Sequence, residues 1–384
     1  MARIAKSELL SRLEGAGTEF AEIAIADGGS AVVTTRGARI LGLFPGAADD
    51  ATNALWTNPH LDGLLRGQLR DWDGEGMGST GGERLWIAPE RSFYYYHPET
   101  FADWFCPAGM DPGHYRLSNH DEPEVVFENI FDLEDIRNWR VYRNVRMERR
   151  FEALANPFRR DRKVKAILSN VQYVGIRKTD SIEVPYAPSD TRINLWTLAL
   201  LDPGPVGSVG TVVIPVRPET QAIDYFGGLT KQRLIVHSDH VAFRIDSQAV
   251  GKVGVRPEDL ALVRRAQIAA FLPTTDKDSL LLVIQRSLDI PHNQSECLDE
   301  AKANPDGPKG AVQANNNGPG ADPNSPYKRF GEIEIQMIAA SQTPDKRRMA
   351  VTAVSDLLAF EGSREDILAL GRGVLGVKEI SLFA

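Results

Sequence analysis

An all-β fold, one large antiparallel β-sandwich with short terminal helices, is what this 384-residue sequence predicts. Three observations point to it. Segments of strand length, apolar or alternating with period two, recur along most of the chain and are bounded by Gly, Pro, Asn and Asp. Most of the 33 glycines and 23 prolines fall between those segments, where turns need a positive φ or the restricted φ of proline. Helical periodicity is confined to the two ends, leaving too few helices to interleave with the strands and build a parallel βαβ sheet.

Taken in order, the first helix is expected from Lys6 to Glu14, where Leu9, Leu10 and Leu13 share one face. Strands are expected at Glu19 to Ile25, Ala38 to Phe44, Arg84 to Ala88, Arg140 to Met147, Val164 to Leu168 and Arg192 to Leu198. They continue at Thr211 to Ile214, Arg233 to Val236, Val241 to Ile245, Leu280 to Ile284, Ile333 to Met337 and Ala350 to Val354. The last helix is expected to start at Ser363. Asp366 three residues on gives a start resembling a capping box, and Ile367, Leu370, Val374 and Leu375 form a helical stripe that stops at Gly376. Residues 291–327 are the one stretch that looks irregular for long, and loops of that length are usually functional or mobile. Strand-like sequence resumes at Phe330 with too few residues left for a second domain. The expectation is therefore a single domain over 1–384 with a long insertion at 291–327.

Composition narrows the function classes. A formal charge of -8 with 42% apolar and 25% charged residues is ordinary for a soluble globular protein. No apolar run approaches the roughly 20 residues needed to span a bilayer, and the segment Met1 to Ser7 lacks the apolar core of a secretion signal, so a cytoplasmic location without a membrane partner is expected. Cys106 and Cys297 lie far apart without metal-ligand spacing, which supports neither a zinc knuckle nor a disulfide framework. The basic segment from Arg146 to Lys163 is broken by Glu148, Glu152 and Asp161. It reads as a solvated face, and nucleic acid is not an expected partner.

Several tempting motifs fail on context. Gly76-Met-Gly78-Ser-Thr-Gly81 spells the dinucleotide-binding pattern, but no strand precedes it and a strand rather than a helix follows. Asp71-Trp-Asp73-Gly-Glu75 departs from a calcium loop in the place of its glycine and lacks a Glu at the twelfth position. The seven histidines show no paired-ligand spacing, and no nucleophile elbow occurs. Neither a cofactor nor a metal is expected.

Two regions carry polar or aromatic groups within otherwise apolar strands. The first runs Gly81-Gly-Glu-Arg-Leu-Trp-Ile-Ala-Pro-Glu90 and on through Ser92-Phe-Tyr-Tyr-Tyr-His97 to Trp104. Such mixtures bind sugars: flat rings such as Trp86 and Tyr95 cover the C–H face of a pyranose, while Arg84, Glu90 and His97 reach its hydroxyls. Aromatic core packing would show the same composition. The second is Gly331-Glu332-Ile-Glu334-Ile-Gln336, in which period two places Glu332, Glu334 and Gln336 on one face and Ile333, Ile335 and Met337 on the other. A solvent-facing strand would share that period.

Resemblance adds to these residues. Glu334-Ile-Gln336, with Pro344-Asp345 beyond it, resembles the signature around the base of aldose 1-epimerases (galactose mutarotases). Gly81 to Glu90 is similar to the Gly-Gly...Trp-Pro segment of the related hexose-6-phosphate mutarotases, and Asp239-His-Val-Ala-Phe243 resembles their sugar-contact segment. The three segments keep the family's chain order. The resemblance implies a galactose mutarotase-like β-supersandwich, a sugar or oligosaccharide ligand and Glu334 as general base. One departure matters: the epimerases carry an Asn-His-x-Tyr/Phe segment that supplies the general acid, and the nearest match here, Arg192-Ile-Asn-Leu-Trp-Thr-Leu198, has no histidine.

Mutarotation needs a base at the anomeric hydroxyl and an acid at the ring oxygen. Glu334 is the candidate base, made useful at neutral pH if desolvation raises its pKa. His97 or His240 is the candidate acid, since imidazole titrates nearest pH 7. Arg84 would bind hydroxyls or a substrate carboxylate, Glu90 or Asp239 would accept from hydroxyls, and Lys252 is a further candidate. The leading expectation is an aldose 1-epimerase-like enzyme. The alternatives are a glycoside-cleaving hydrolase or uronate lyase in the same cleft, or a non-catalytic carbohydrate-binding protein.

Overall fold

The computed structural model describes residues 3–26, 28–70, 79–119, 124–261, 267–318 and 329–384. Among these residues the strands form a nine-stranded sheet, an eleven-stranded sheet and a separate two-stranded hairpin, with antiparallel pairing throughout. In chain order the nine-stranded sheet contains β1 (Phe20–Ala24), β2 (Ser30–Thr34), β3 (Arg39–Phe44), β4 (Glu83–Ala88), β5 (Asn194–Leu201), β6 (Ile223–Asp224), β7 (Gly251–Val255), β8 (Val312–Asn316) and β9 (Gly331–Ala339). Its spatial order is β1-β2-β3-β4-β5-β9-β8-β7-β6. The larger sheet is built around the long strands Glu124–Asp135, Arg140–Ala153, Gln172–Pro185, Ser279–Ser287 and Arg348–Ser363.

The two sheets pack face to face as a large antiparallel β-supersandwich. Leu85 and Ile87 of β4 and Ile333, Ile335 and Met337 of β9 meet Val174, Ile176, Leu282 and Ile284 in one apolar core. The outer strand Glu124–Asp135 alternates buried and exposed residues, as a sheet wetted on one face must. Strands β4, β5 and β9 are buried on almost every residue, so their second face is covered too. That covered face carries the candidate site described below.

The core also holds charge. Glu83 of β4 accepts hydrogen bonds from Arg149 Nη2 at 2.9 and 3.0 Å, from Lys178 Nζ at 2.8 Å and from Thr197 Oγ1 at 2.7 Å. Arg149 also donates its Nε to Asp180 at 2.8 Å and an Nη1 to the carbonyl of Ala38 at 2.8 Å. Burial pushes the Glu83 carboxyl up, but Arg149 and Lys178 more than offset this and hold it at about 2. These groups cross-brace the two sheets directly behind Arg84. Arg149 thus departs from the solvated face expected for its segment: period two sets it beside the buried Val145, Met147 and Phe151.

Helix α1 (Lys6–Gly15) buries Leu9 and Leu13. Two short helices the sequence did not announce, α2 (Leu61–Leu65) and α3 (Glu90–Phe93), lie inside the chain. Helix α4 (Arg364–Leu375) has Ser363 as its N-cap, whose Oγ accepts from Asp366 N at 3.1 Å, and it ends on Gly376 with φ 71°. No described helix is long and apolar enough to cross a membrane.

Two expectations are corrected. Val164 to Leu168 is not a strand but a run of turns into a one-turn helix, closed by Lys165 N to Asp161 O and Leu168 N to Val164 O. A five-residue apolar run cannot be assigned by periodicity alone. The stretch 291–327 is not irregular throughout, because β8 runs inside it and pairs with both β7 and β9. With Gln313, Asn315 and Asn316 among its five residues, β8 is too polar for an apolar-run criterion.

Candidate functional site

Ladder pairing brings separate strands to one layer. Trp86 lies opposite Trp196, Trp196 opposite Gln336, and Leu198 opposite both Arg84 and Glu334. Glu334 lies opposite Gln313, and Asn315 opposite both Glu332 and Lys252. Directly paired residues project to the same side of a sheet. Arg84, Trp86, Glu332, Glu334, Gln336 and Lys252 therefore share the face turned away from the second sheet. Two glycines with positive φ start this arrangement: at Gly81 and Gly82 a Cβ would collide with the carbonyl oxygens of Trp56 and Ile40.

Lys252 is the hub. Its Nζ lies 3.1 Å from Glu334 Oε2 and 3.4 Å from Asp299 Oδ2, over the rings of Trp196 at 4.4 Å and Tyr225 at 5.2 Å. All three charged side chains are buried. Burial raises the Glu334 carboxyl, and Glu332 and Asp299 raise it further against the opposing pull of Lys252, to about 7. Burial raises Asp299 as well, with Glu90 adding to it and Lys252 opposing, to about 6. For Lys252 burial acts downward, but Glu334, Asp299 and Glu90 outweigh it and keep the ammonium above the ordinary lysine range.

The neighbouring charges are matched. Arg84 Nη2 donates to Glu332 Oε1 at 2.7 Å and the guanidinium lies 3.9 Å over the Trp86 ring. Asn315 Nδ2 donates to the other Glu332 oxygen at 2.8 Å. Trp86 is anchored by its indole N–H to Asp111 Oδ2 at 2.7 Å, and Asp111 in turn receives Arg39. Glu90, at the start of α3, accepts from Trp104 Nε1 at 2.9 Å and from Tyr95 Oη at 3.5 Å. Tyr95 is buried, and burial followed by Glu90 and Asp299 pushes its phenol well above the usual range. Rings continue from Tyr94 to Trp104, Trp86 and Trp196 at centroid separations of 6.3, 6.0 and 6.2 Å.

Gln336 belongs to this layer but serves as scaffold. Its Oε1 accepts the main-chain N–H groups of Leu298 and Asp299 at 3.2 and 3.3 Å, and its Nε2 donates to Gly310 O at 3.3 Å. It thereby seats the segment that carries Asp299, a residue sequence reasoning missed because no periodicity or motif surrounds it. Trp196 and Tyr225 were missed likewise. Glu300 ties this segment to the aromatic one, receiving Arg91 Nη1 at 2.9 Å and Arg137 Nη1 at 3.0 Å.

Other expected residues lie elsewhere. His240 and Asp239 sit on the larger sheet, where His240 Nδ1 meets Asp239 Oδ1 at 2.7 Å and its ring stacks on His237. They make no hydrogen bond or ion pair with the Lys252 group, because that group projects from the face of its sheet turned away from the larger sheet. His97 is exposed on the hairpin Tyr95–His97/Ala102–Trp104 and faces Asp103 at 3.3 Å. Asp345 is a turn residue, accepting from Thr343 Oγ1 at 2.6 Å and Arg347 N at 3.1 Å. Gly76, Gly78 and the run Asp71 to Glu75 lie outside the described residues. Among the described residues no group of three or more His, Cys, Asp or Glu side chains is arranged to hold a metal ion.

Residues 70–382 match the model of a protein family described as a family of unknown function (DUF6786). The chain belongs to this family. The DUF6786 match takes in every residue of the Lys252 group and of the aromatic row. No curated protein sequence matches the chain. Among solved structures, this DUF6786 chain is similar to the Slr1438 protein from Synechocystis sp. PCC 6803, with 8% identity, a TM-score of 0.43, and 90% of this chain and 96% of that one covered. It is similar to a GalM/aldose epimerase homologue from C. elegans, with 9% identity, a TM-score of 0.37 and coverage of 90% and 99%. A galactose 1-epimerase from Lactobacillus acidophilus NCFM is similar at 9% identity, a TM-score of 0.41 and coverage of 90% and 99%.

Proposed function

We propose that this protein binds a neutral aldose against the covered face of the nine-stranded sheet and interconverts its anomers, with Glu334 as general base. The observation that carries the reading is the Glu334 carboxyl itself. It is buried, raised to about 7, and set in a layer with Trp86 and Trp196. A carboxylate with that pKa takes a proton from a sugar hydroxyl far more readily at neutral pH than one near 4. The two segments that most resemble the epimerases, 81–90 and 334–336, are also the two that lie on either side of β5.

The charges favour a neutral substrate over a uronate. Arg84 is engaged by Glu332, and Lys252 by Glu334 and Asp299. Binding a substrate carboxylate through either cation would strip a buried carboxylate of its partner, which is costly. In the reaction Glu334 takes the proton of the anomeric hydroxyl as the ring opens and returns it on reclosure.

The test is polarimetry or NMR exchange on freshly dissolved α-glucose, α-galactose and further aldoses. Accelerated anomer interconversion that is lost in a folded Glu334→Gln variant is the expected result. No acceleration of any aldose by folded protein overturns the reading. Sugar binding without turnover, unchanged in Glu334→Gln, would point instead to a carbohydrate-binding protein.

A further inference from the structure

We propose that Asp299 is the second proton-transfer group of this site, working with Glu334 as one acid–base pair on either side of Lys252. The proposal rests on the aldose reading above and supplies the acid which that reading lacks. The sequence departs from the epimerases it resembles in having no histidine in the mid-chain segment Arg192 to Leu198. Neither candidate histidine takes its place: His97 faces Asp103 at the surface and His240 is held by Asp239 on the other sheet.

Counting the buried charge leads to Asp299. Four carboxyl groups, Glu90, Asp299, Glu332 and Glu334, surround two buried cations, Arg84 and Lys252. Glu332 is matched by Arg84 and Asn315, and Glu90 receives the Trp104 indole N–H. That leaves Asp299 and Glu334 with one ammonium between them, each through a single oxygen. Two buried carboxylates beside one cation hold a proton more tightly than isolated ones, since ionising both leaves one charge uncompensated.

The titratable groups facing this pair are Lys252, Glu90, Glu332, Tyr95, Tyr225 and Cys297. Burial raises the two phenols and the thiol far above neutrality, so none of the three competes as an acid. The Tyr225 oxygen is moreover an acceptor, from Gly310 N at 3.0 Å and Gln313 Nε2 at 2.9 Å. With Asp299 at about 6 and Glu334 at about 7, the pair carries one proton between those values, held mostly on Glu334. The form with that proton on Asp299 and Glu334 ionised, roughly one part in ten, is the one that opens the ring with Glu334 as base.

The reaction balances on that one proton. In ring opening the ionised member takes the proton from O1 as C1–O1 becomes a carbonyl. The C1–O5 bond breaks, and the protonated member gives its proton to O5. Rotation about C1–C2 exposes the other carbonyl face. O5 then attacks C1 and returns its proton to the carboxylate that gave it, while the carbonyl oxygen recovers the other. The two carboxyls exchange acid and base roles between opening and closure, and neither oxidant nor reductant enters.

The experiment compares wild type, Asp299→Asn and Glu334→Gln, each checked for folding by circular dichroism and for sugar binding by saturation-transfer NMR. For wild type a bell-shaped pH dependence of kcat/KM is expected. Asp299→Asn should lower kcat by about 100-fold or more, the scale of one general acid, and lose one limb of the bell while still binding sugar. Carbon-13 titration of the carboxyl groups in sugar-free wild type gives a second readout that does not depend on the variant folding. Asp299 and Glu334 should each respond to the other's ionisation. Independent titration of the two, or full kcat and both limbs in Asp299→Asn beside an inactive Glu334→Gln, overturns the Asp299 assignment and leaves the aldose reading standing. Failure of wild type to act on any aldose overturns the reading and this assignment together.

Discussion

Gln336 holds Asp299 in place through the main chain: its Oε1 accepts the Asp299 N–H at 3.3 Å, while the Leu298 N–H shares the same oxygen at 3.2 Å. A buried side chain on a central strand thus positions a charged residue from an otherwise loosely patterned segment. Replacing Gln336 by Leu leaves the buried Asp299 N–H and the half-buried Leu298 N–H without this acceptor. The expected loss of stability is about 1–3 kcal/mol, with faster hydrogen exchange at residues 298 and 299. Mass-spectrometric exchange and thermal melts check it, and unchanged protection there would show that the segment is held by other contacts.

Stability should fall as pH rises through the acid-to-neutral range. The Glu334 carboxyl titrates at about 7 in the folded protein against an ordinary value of 4.5, and Asp299 at about 6 against 3.8. Between those limits the folded state keeps protons that the unfolded state has released. Their contribution is complete below the ordinary values and is lost as pH climbs through the raised ones. In Glu334→Gln the decline between about pH 5 and pH 7 should be shallower than in wild type. Melts across that range measure the two slopes, and identical slopes would contradict the raised carboxyl.

Glu83 should be far less tolerant of neutralisation. In Glu83→Gln the fully buried Arg149 and Lys178 keep their charges but lose a carboxylate, leaving Asp180 alone against both. Breaking a buried ionic group in this way costs about 3–5 kcal/mol. Urea unfolding reads the loss directly, and a change below 1 kcal/mol, roughly the scale of a surface pair, would mean that the core takes up the missing charge by rearrangement.

Trp104 is the partly exposed member of the aromatic row, at 36% exposure and 6.0 Å from Trp86. Trp104→Ala should weaken aldose binding by roughly two- to tenfold, the scale of one aromatic contact, with little change in melting temperature. Titration followed by NMR tests it, and unaltered affinity would place the sugar away from this ring.

Much of the scaffold was legible in residue order. The alternation in Gly331 to Met337 assigned Glu332, Glu334 and Gln336 to one face, and the ladder places them there. Ser363, Asp366 and the stripe ending at Gly376 marked the last helix by capping chemistry that acts within a few residues. Val164 to Leu168 misled because a short apolar run buries equally well as a turn beneath a helix. Strand β8 was missed for the opposite reason, since its amide side chains face buried partners that only neighbouring strands provide. Arg149 was misjudged by composition, although its own strand period pointed inward.

The candidate site divides along the same line. Local sequence determined the strand faces and hence that Arg84 and Trp86 project together, as do Glu332 and Glu334, because side-chain direction follows from backbone period alone. Only the tertiary structure decided that Lys252 lies between Glu334 and Asp299, that Gln336 is scaffold, and that Asp239 and His240 stand on another sheet. Those relations depend on the order in which distant strands pair and on burial that shifts charge, neither of which a residue's sequence neighbours encode.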